Sequence, residues 1–526
     1  MSKRARIIGV LVVLIIVGAL GIAVSASQLE PRLHDWLTAQ LSYSLESEIE
    51  LGEVHLTWIP LRLHARNLTV RHRGRRDIPP LLVVASFTVD LKTTDLWSST
   101  VDRVWVDGLE INIPPKDLET GKRPIPRPGD DGQPAQDDSG ALVVRRLIAT
   151  NTRLSLIPRN SAKNPKVWDI FELDMRNLGG GDAATFTAAL INPIPYGTIE
   201  SSGKFGPWHT DEPGDTPVGG EYTFAADLGT IAGLAGQLSA SGAMDGTLDK
   251  IRTSGESHTP NFRLTELDGI SLPLNTSYEA IVDGTAGDVE LKRVDVTLGS
   301  SQLQARGIVE GTKGVDGKRV VVNVKSNNAN LGELLRLVSK GRPPAEGVLI
   351  VDAALDLPQG SAPILERLAL EGSLGAERVK FTTAAVQDKI DELSRRGQGR
   401  PEDASIDEMA SRMATKFVLN KGLLSYQGLS FNVQGAAVRL EGTHSLRTKA
   451  IDLAGVVLLN AAMSETQQGF KSWLLKPFDP LFRKNGAGTR LVINVAGTQD
   501  QPKVDVEIAN TLKGRGPTGG SGRARR

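Results

Sequence analysis

The sequence predicts a mainly β protein: an elongated, curved antiparallel sheet forming an open groove, with an N-terminal transmembrane helix and a few short helical inserts. Three observations carry this. Apolar and polar residues alternate with a period of two over most of the chain. Gly supplies 55 of 526 residues, above its usual share of about 7%, as many strands joined by many turns require. One uncharged run, Ile7 to Val24, is 18 residues long. As a helix it measures about 27 Å, enough to span a bilayer if flanking residues snorkel.

Composition narrows the function. Lys+Arg and Asp+Glu are 61 each, so the basic excess of a nucleic-acid binder is missing. Aromatics are 5%, too few for stacking platforms on single strands. No Cys is present, which excludes disulfides, thiolate nucleophiles, iron–sulfur clusters and Cys-based zinc sites.

Lys3, Arg4 and Arg6 precede the apolar run, so they stay cytoplasmic and the rest of the chain is translocated. A cleaved signal peptide is the competing reading, with Val24-Ser25-Ala26 as the cleavage region. The run exceeds the usual 7–15-residue apolar region of such a peptide, which favours a retained anchor over 1–26 and a single-pass protein.

Residues 27–113 hold a helix and the first hairpins. Leu33, Trp36, Leu37, Leu41 and Leu45 recur at helical spacing, predicting a helix near 31–46. Alternation then begins at Ile49-Glu50-Leu51 and Val54-His55-Leu56, with a bulge at Gly52-Glu53. It continues through Leu61 to Val70, Val83 to Leu91, and Val104 to Ile113. Residues 114–140, rich in Pro, Gly and Asp, predict a loop between two sheet regions. A middle β region spans 141–380 and a C-terminal β region 381–510, with helices near 384–396, 403–414 and 467–476. The Gly- and Arg-rich tail, 511–526, is expected to be disordered.

The usual catalytic constellations are missing. There is no nucleophile elbow, phosphate-binding glycine loop or zinc-protease helix motif. Gly179-Gly180-Gly181-Asp182 is expected to be a turn. His55, His64 and His72 are expected to be solvated, and Asp283 and Asp288 to flank a hairpin turn. No catalytic residue, metal or cofactor is predicted.

Two features point to function. A one-sided curved sheet can shelter acyl chains, or its apolar face can simply be packed shut. In the first hairpins Leu51, Val54, Leu56, Leu63, Leu68 and Val70 are expected to share that face, extended by Val83, Ala85, Phe87, Val89 and Leu91. Second, Phe470, Trp473, Leu474 and Phe478 stand beside basic residues, as in a membrane-interface helix or a helix capping the sheet.

Together these pieces resemble the AsmA-like family of diderm bacteria, related to TamB and chorein-type lipid-transfer proteins. The resemblance rests on the anchor and on Ile49-Glu50-Leu51-Gly52-Glu53-Val54. It also rests on Leu63-His64-Ala65-Arg66-Asn67-Leu68-Thr69-Val70, on Tyr222 to Gly246, and on Ile281 to Asp288. Gln387 to Gly397, Gly486 to Thr489, Val495 to Thr498 and Gln501-Pro502 complete it. It implies a non-enzymatic envelope-biogenesis factor, anchored in the inner membrane with its bulk in the periplasm. Such a factor binds or conducts phospholipid between the two membranes. The alternative is a scaffold or assembly factor for outer-membrane proteins. The implied partners are membrane phospholipid and outer-membrane or periplasmic assembly proteins, with no nucleic acid.

Overall fold

The computed structural model describes residues 47–115, 143–460 and 490–508, with most positions between 30 and 42. Within these spans 59, 73–74, 91–99, 180, 210, 339, 404, 406–409 and 499–500 are not described. The described residues are mainly β, about 65% strand and 10% helical, in open rather than closed sheet. None of their helices is long and apolar enough to cross a membrane. The predicted anchor and the predicted 467–476 helix lie outside the described residues. The chain divides into two units: residues 1–261 with 275–294 and 307–319, and residues 262–274 with 295–306 and 320–526.

In the first unit, the described residues between 30 and 42 form a helix, α1. Strands β1 (Ser47–Glu50) and β2 (Val54–Trp58) both pair with β3 (Leu61–His72). The meander continues through β4 (Leu82–Asp90), β5 (Thr100–Ile113), β6 (Val143–Leu156), β7 (Lys166–Leu178), β8 (Ala184–Pro193) and β9 (Tyr196–Phe205). It then runs through β10 (Pro217–Asp227), the short β11 (Leu234–Ala235), β12 (Gln237–Thr247) and β13 (Lys250–Leu264). Consecutive partners are antiparallel, with one correction to the predicted pattern. β5 and β6 run parallel, Thr100 opposite Val143 and Ile113 opposite Leu156. The 114–140 segment therefore joins neighbouring strands of one sheet instead of separating two regions. A parallel neighbour needs a connection that returns the full strand length, and 29 residues lie between Ile113 and Val143.

A seam crosses these strands. Asn67 in β3, Gly108 in β5 and Asn151 in β6 have φ of 55°, 67° and 51°, the left-handed region that Asn and Gly tolerate. The core-facing parity switches there. Leu63 and Ala65 face inward before the seam, Leu68 and Val70 after it; in β5 Val104 and Val106 give way to Leu109 and Ile111. β6 switches from Leu147 and Ala149 to Leu154, and β7 from Ile170 to Leu173. The register is the same on both sides from β3 to β7, so the strands turn over together. At the predicted bulge, the Gly52 N–H donates to Arg66 O and the Arg66 N–H donates to Glu53 O. Two residues thus face one, beside the left-handed Asn67.

Further along the chain lie β14 (Leu272–Asp283), β15 (Val289–Leu298) and β16 (Ser301–Glu310). In the second unit β17 (Arg319–Asn330), β18 (Ala345–Leu357), β19 (Ala369–Phe381), β20 (Ser411–Asn420) and β21 (Leu423–Val433) form an antiparallel meander. It ends with β22 (Ala436–Ser445), β23 (Ala450–Leu459), β24 (Arg490–Thr498) and β25 (Gln501–Ile508). Irregularities recur on alternate strands, between Ser326 and Ala329, Ala376 and Val379, and Tyr426 and Leu429. Such insertions raise the local twist.

Three helices accompany these strands: α2 (Leu331–Val338), α3 (Ile364–Arg367) and α4 (Ala384–Gly397). α4 matches the predicted 384–396 helix. Its Ile390 and Leu393 pack on Phe431, Val433, Val438 and Val457. α2 was not predicted; its Leu334 and Leu335 pack on Ala329, Leu349 and Val379. Of the predicted 403–414 helix, residues 404 and 406–409 lie outside the described residues, and the described C-terminal part is corrected. Met413 lies in β20, opposite Ala376 and Phe431, and its helical spacing from Met409 is outweighed by strand pairing on both sides.

Candidate functional site

The inner face of the first unit is closed where the first hairpins lie. Val54, Leu63, Leu68, Val70 and Val89 are all buried, and Val70 is fully inaccessible. Leu51, Leu56 and Phe87 are partly buried and pack into the same clusters. Leu37 and Leu41 of α1 join them as a cover. Two side chains fasten that helix: His34 Nε2 bonds Leu51 O at 2.9 Å, and the Leu56 N–H donates to a Glu30 carboxylate oxygen at 3.2 Å. The Leu51 carbonyl, then the Asp35 carboxylate, hold the His34 pKa above its usual value.

Val83 is a correction. The switch at the seam puts Val84 in the core and leaves Val83 on the other face, opposite Thr69 and Glu110; Ala85 is exposed. Leu91 lies outside the described residues, as do Phe470, Trp473, Leu474 and Phe478.

Register carries the same face onward with a different lining. Ala188 lies opposite Ser201, Ser201 opposite Tyr222, Tyr222 opposite Gly242, and Gly242 opposite Gly255. A Cβ on Gly242 would stand 2.7 Å from the Tyr222 hydroxyl, and one on Gly255 would stand 2.9 Å from the Tyr278 hydroxyl. The two rings therefore lie in a trough that only glycine leaves open. Their hydroxyls meet at 2.7 Å, and Tyr222 also reaches Thr253 Oγ1 at 2.8 Å. Thr253 donates to Ala243 O at 3.3 Å. With that proton spent, Tyr222 must donate to Thr253 and Tyr278 to Tyr222, a one-way chain whose bonds polarise one another. Burial, then the bond with Tyr222, pushes the Tyr278 pKa well up. Ser257 and Thr276 add a second hydroxyl pair at 2.7 Å.

In the second unit, one inner row runs through Val324, Ala353, Gly372, Phe417, Tyr426, Gly442, Leu453, Val495 and Val504. A neighbouring row runs through Val322, Leu355, Leu370, Leu419 and Leu424. Of these, Val322, Leu355, Leu370 and Leu424 are only half-buried. In the same two rows Ala353, Phe417, Leu419 and Leu453 are buried and Val504 is exposed, so half-buried apolar positions alternate with closed ones.

Of the three early histidines, His55 is exposed and His64 is half-buried against Thr88 Oγ1 at 3.0 Å. His72, expected to be solvated, is buried at 6% exposure beside Ser47. It follows Leu68 and Val70 on the inner side of the seam, a placement its arginine neighbours in sequence do not reveal. Gly179 has φ of 95° in a turn, as expected. Asp283 and Asp288 flank the β14–β15 turn; Lys163 holds Asp288 at 2.8 Å. Among the described residues no group of three His, Asp or Glu could hold a metal ion. Sequence reading missed the Tyr222–Tyr278 chain, although Gly242 and Gly255 in otherwise regular strands signalled a close approach.

No family model, curated protein or solved structure matches the chain.

Proposed function

We propose that this chain is an inner-membrane-anchored periplasmic envelope-biogenesis factor that binds phospholipid acyl chains on the inner face of its sheet. The reading follows the AsmA-like resemblance. The observation that carries it is the set of half-buried positions Val322, Leu355, Leu370 and Leu424 along one apolar row of the second unit, with the buried Leu419 between the last two. A lipid tail laid on such a row gains roughly 0.8 kcal/mol per methylene removed from water. The closed face of β1 to β7 argues that the first hairpins act as a base, with lipid contact further along the chain. The chemistry is non-enzymatic: a sheltering surface, with movement driven by a gradient or by a partner.

The second reading, a scaffold or assembly factor for outer-membrane proteins without lipid cargo, is favoured by that same packing in β1 to β7. A photo-crosslinking amino acid at Leu355 or Leu424 separates the two. On the lipid reading, irradiation in native membranes yields phospholipid adducts at these positions and none at the outward Asp356. Protein adducts alone, or none at all, would favour the scaffold.

A further inference from the structure

One row of outward-facing residues crosses five adjacent strands of the first unit. Arg62 lies opposite Asp90, Asp90 opposite Arg103, Arg103 opposite Arg146, and Arg146 opposite Arg176. Four guanidinium groups thus line up over four strand spacings, about 19 Å. Two carboxylates serve them. Asp90 accepts from Arg62 at 2.8 Å; Asp174 accepts from Arg146 at 2.7 Å and lies 3.9 Å from Arg176. The guanidinium carbons of Arg62 and Arg103 stand 5.8 and 5.3 Å from the centre of the Trp105 ring, within cation–π range. Two outward rows along, Arg66 sits with Asp107 and Glu172, so the excess positive charge is concentrated at the Arg62 end.

The described part of α1 starts near that end. Glu30, near the start of α1, bonds Leu56, and Leu56 lies opposite Leu63, next to Arg62. The uncharged run ends at Val24. Only six residue steps, at most about 20 Å of extended chain, separate Val24 from Glu30.

We propose that the Arg62–Arg103–Arg146–Arg176 row, with Trp105, is a docking surface for the anionic phospholipid headgroups of the membrane that holds the anchor. The proposal rests on the anchored reading above, not on lipid binding along the inner face. Charge complementarity and the short tether name the occupant. The attraction of each arginine to an anionic surface falls off within a Debye length. An aromatic ring among cations suits the headgroup layer. The surface would hold the first unit against the membrane.

The chain has no Cys, so one label reports one place. Thr185→Cys sits beside Arg176 on β8; Ser155→Cys sits at the far end of β6. The full chain, carrying a fluorophore at one position, is mixed with vesicles of phosphatidylcholine alone or with 30% phosphatidylglycerol. Both contain a trace of lipid with a nitroxide on its headgroup. Quenching at Thr185→Cys should be several-fold stronger in the anionic vesicles than at Ser155→Cys. It should fall toward the neutral level in 0.5 M salt or in R103Q/R176Q. Because Arg176 is exposed, R176Q alone should give part of that loss with unchanged melting. Quenching that ignores position, lipid charge or these substitutions overturns the surface. Flotation with neutral vesicles scores the anchor separately. A chain that floats without preferential quenching keeps the anchor and loses the surface; one that binds anionic vesicles alone, quenched at Thr185→Cys, does the reverse.

Discussion

At the residue scale, a few positions decide which side chains enter the core. Gly108 shows why: at φ of 67° its missing Cβ would stand 2.9 Å from the Ala85 Cβ. A β-branched residue would bring both a disfavoured backbone and a clash. Gly108→Val should therefore cost about 1–3 kcal/mol, read as a lower denaturation midpoint at unchanged slope. Asn151→Gly keeps an accepted φ but loses the 2.7 Å bond from the Asn151 amide to the Asp107 carboxylate, and should cost about 0.5–1.5 kcal/mol. Phe87 packs against clusters on both sides of the seam, with Val84 on one and Val89 and Val106 on the other. Phe87→Asp should cost several kcal/mol through a desolvated carboxylate; a variant that melts normally would show this face to be open to water.

At the element scale, α1 is fastened by a titrating contact. The raised pKa of His34 means that its protonated form is favoured in the docked helix. That stabilisation is fully present below the usual value of about 6.5 and is lost as pH rises through the folded value. Amide exchange in α1, corrected for intrinsic rate, should therefore show greater protection near pH 6 than near pH 8.5. His34→Gln should remove the difference, and a difference that survives would place the pH dependence elsewhere. α1 also has a second task. Its Glu30 and His34 side chains occupy backbone groups of Leu56 and Leu51, part of a sheet edge that would otherwise invite another strand.

For the first unit as a whole, the parallel β5–β6 pair is the element most dependent on chain length. The return from Ile113 to Val143 covers about 43 Å at 3.3 Å per residue, so roughly 13 linking residues are the minimum. Removing ten of the 29 should leave melting unchanged. Removing twenty should prevent the pairing, expose the cluster of Ala149, Ile170 and Leu173, and lower the melting temperature sharply. Equal stability of both deletions would mean that the pair forms by another connection.

The sequence by itself determined the β class, because period-two alternation commits each strand to one buried face whatever its partner. It also determined α4, whose Ile390 and Leu393 fall on one stripe. It grouped Leu51, Val54, Leu56, Leu63, Leu68 and Val70 correctly, since the Gly52 and Asn67 interruptions are visible as breaks in the alternation. Between Val83 and Val89 no Gly or Asn marks the switch. β4 turns over because Asn67 and Gly108 on its two neighbours do, so only the paired sheet decided that Val84 and not Val83 is inside. The same holds for Met413, drawn into a strand by Ala376 and Phe431, and for the Tyr222–Tyr278 chain, whose members are 56 residues apart. The parallel pair likewise needed tertiary structure, since a long polar loop has the same sequence whether it separates two regions or returns to the strand beside it. Local alternation records the burial of a residue's own face; register, which is a relation between strands, becomes definite only when the partner is in place.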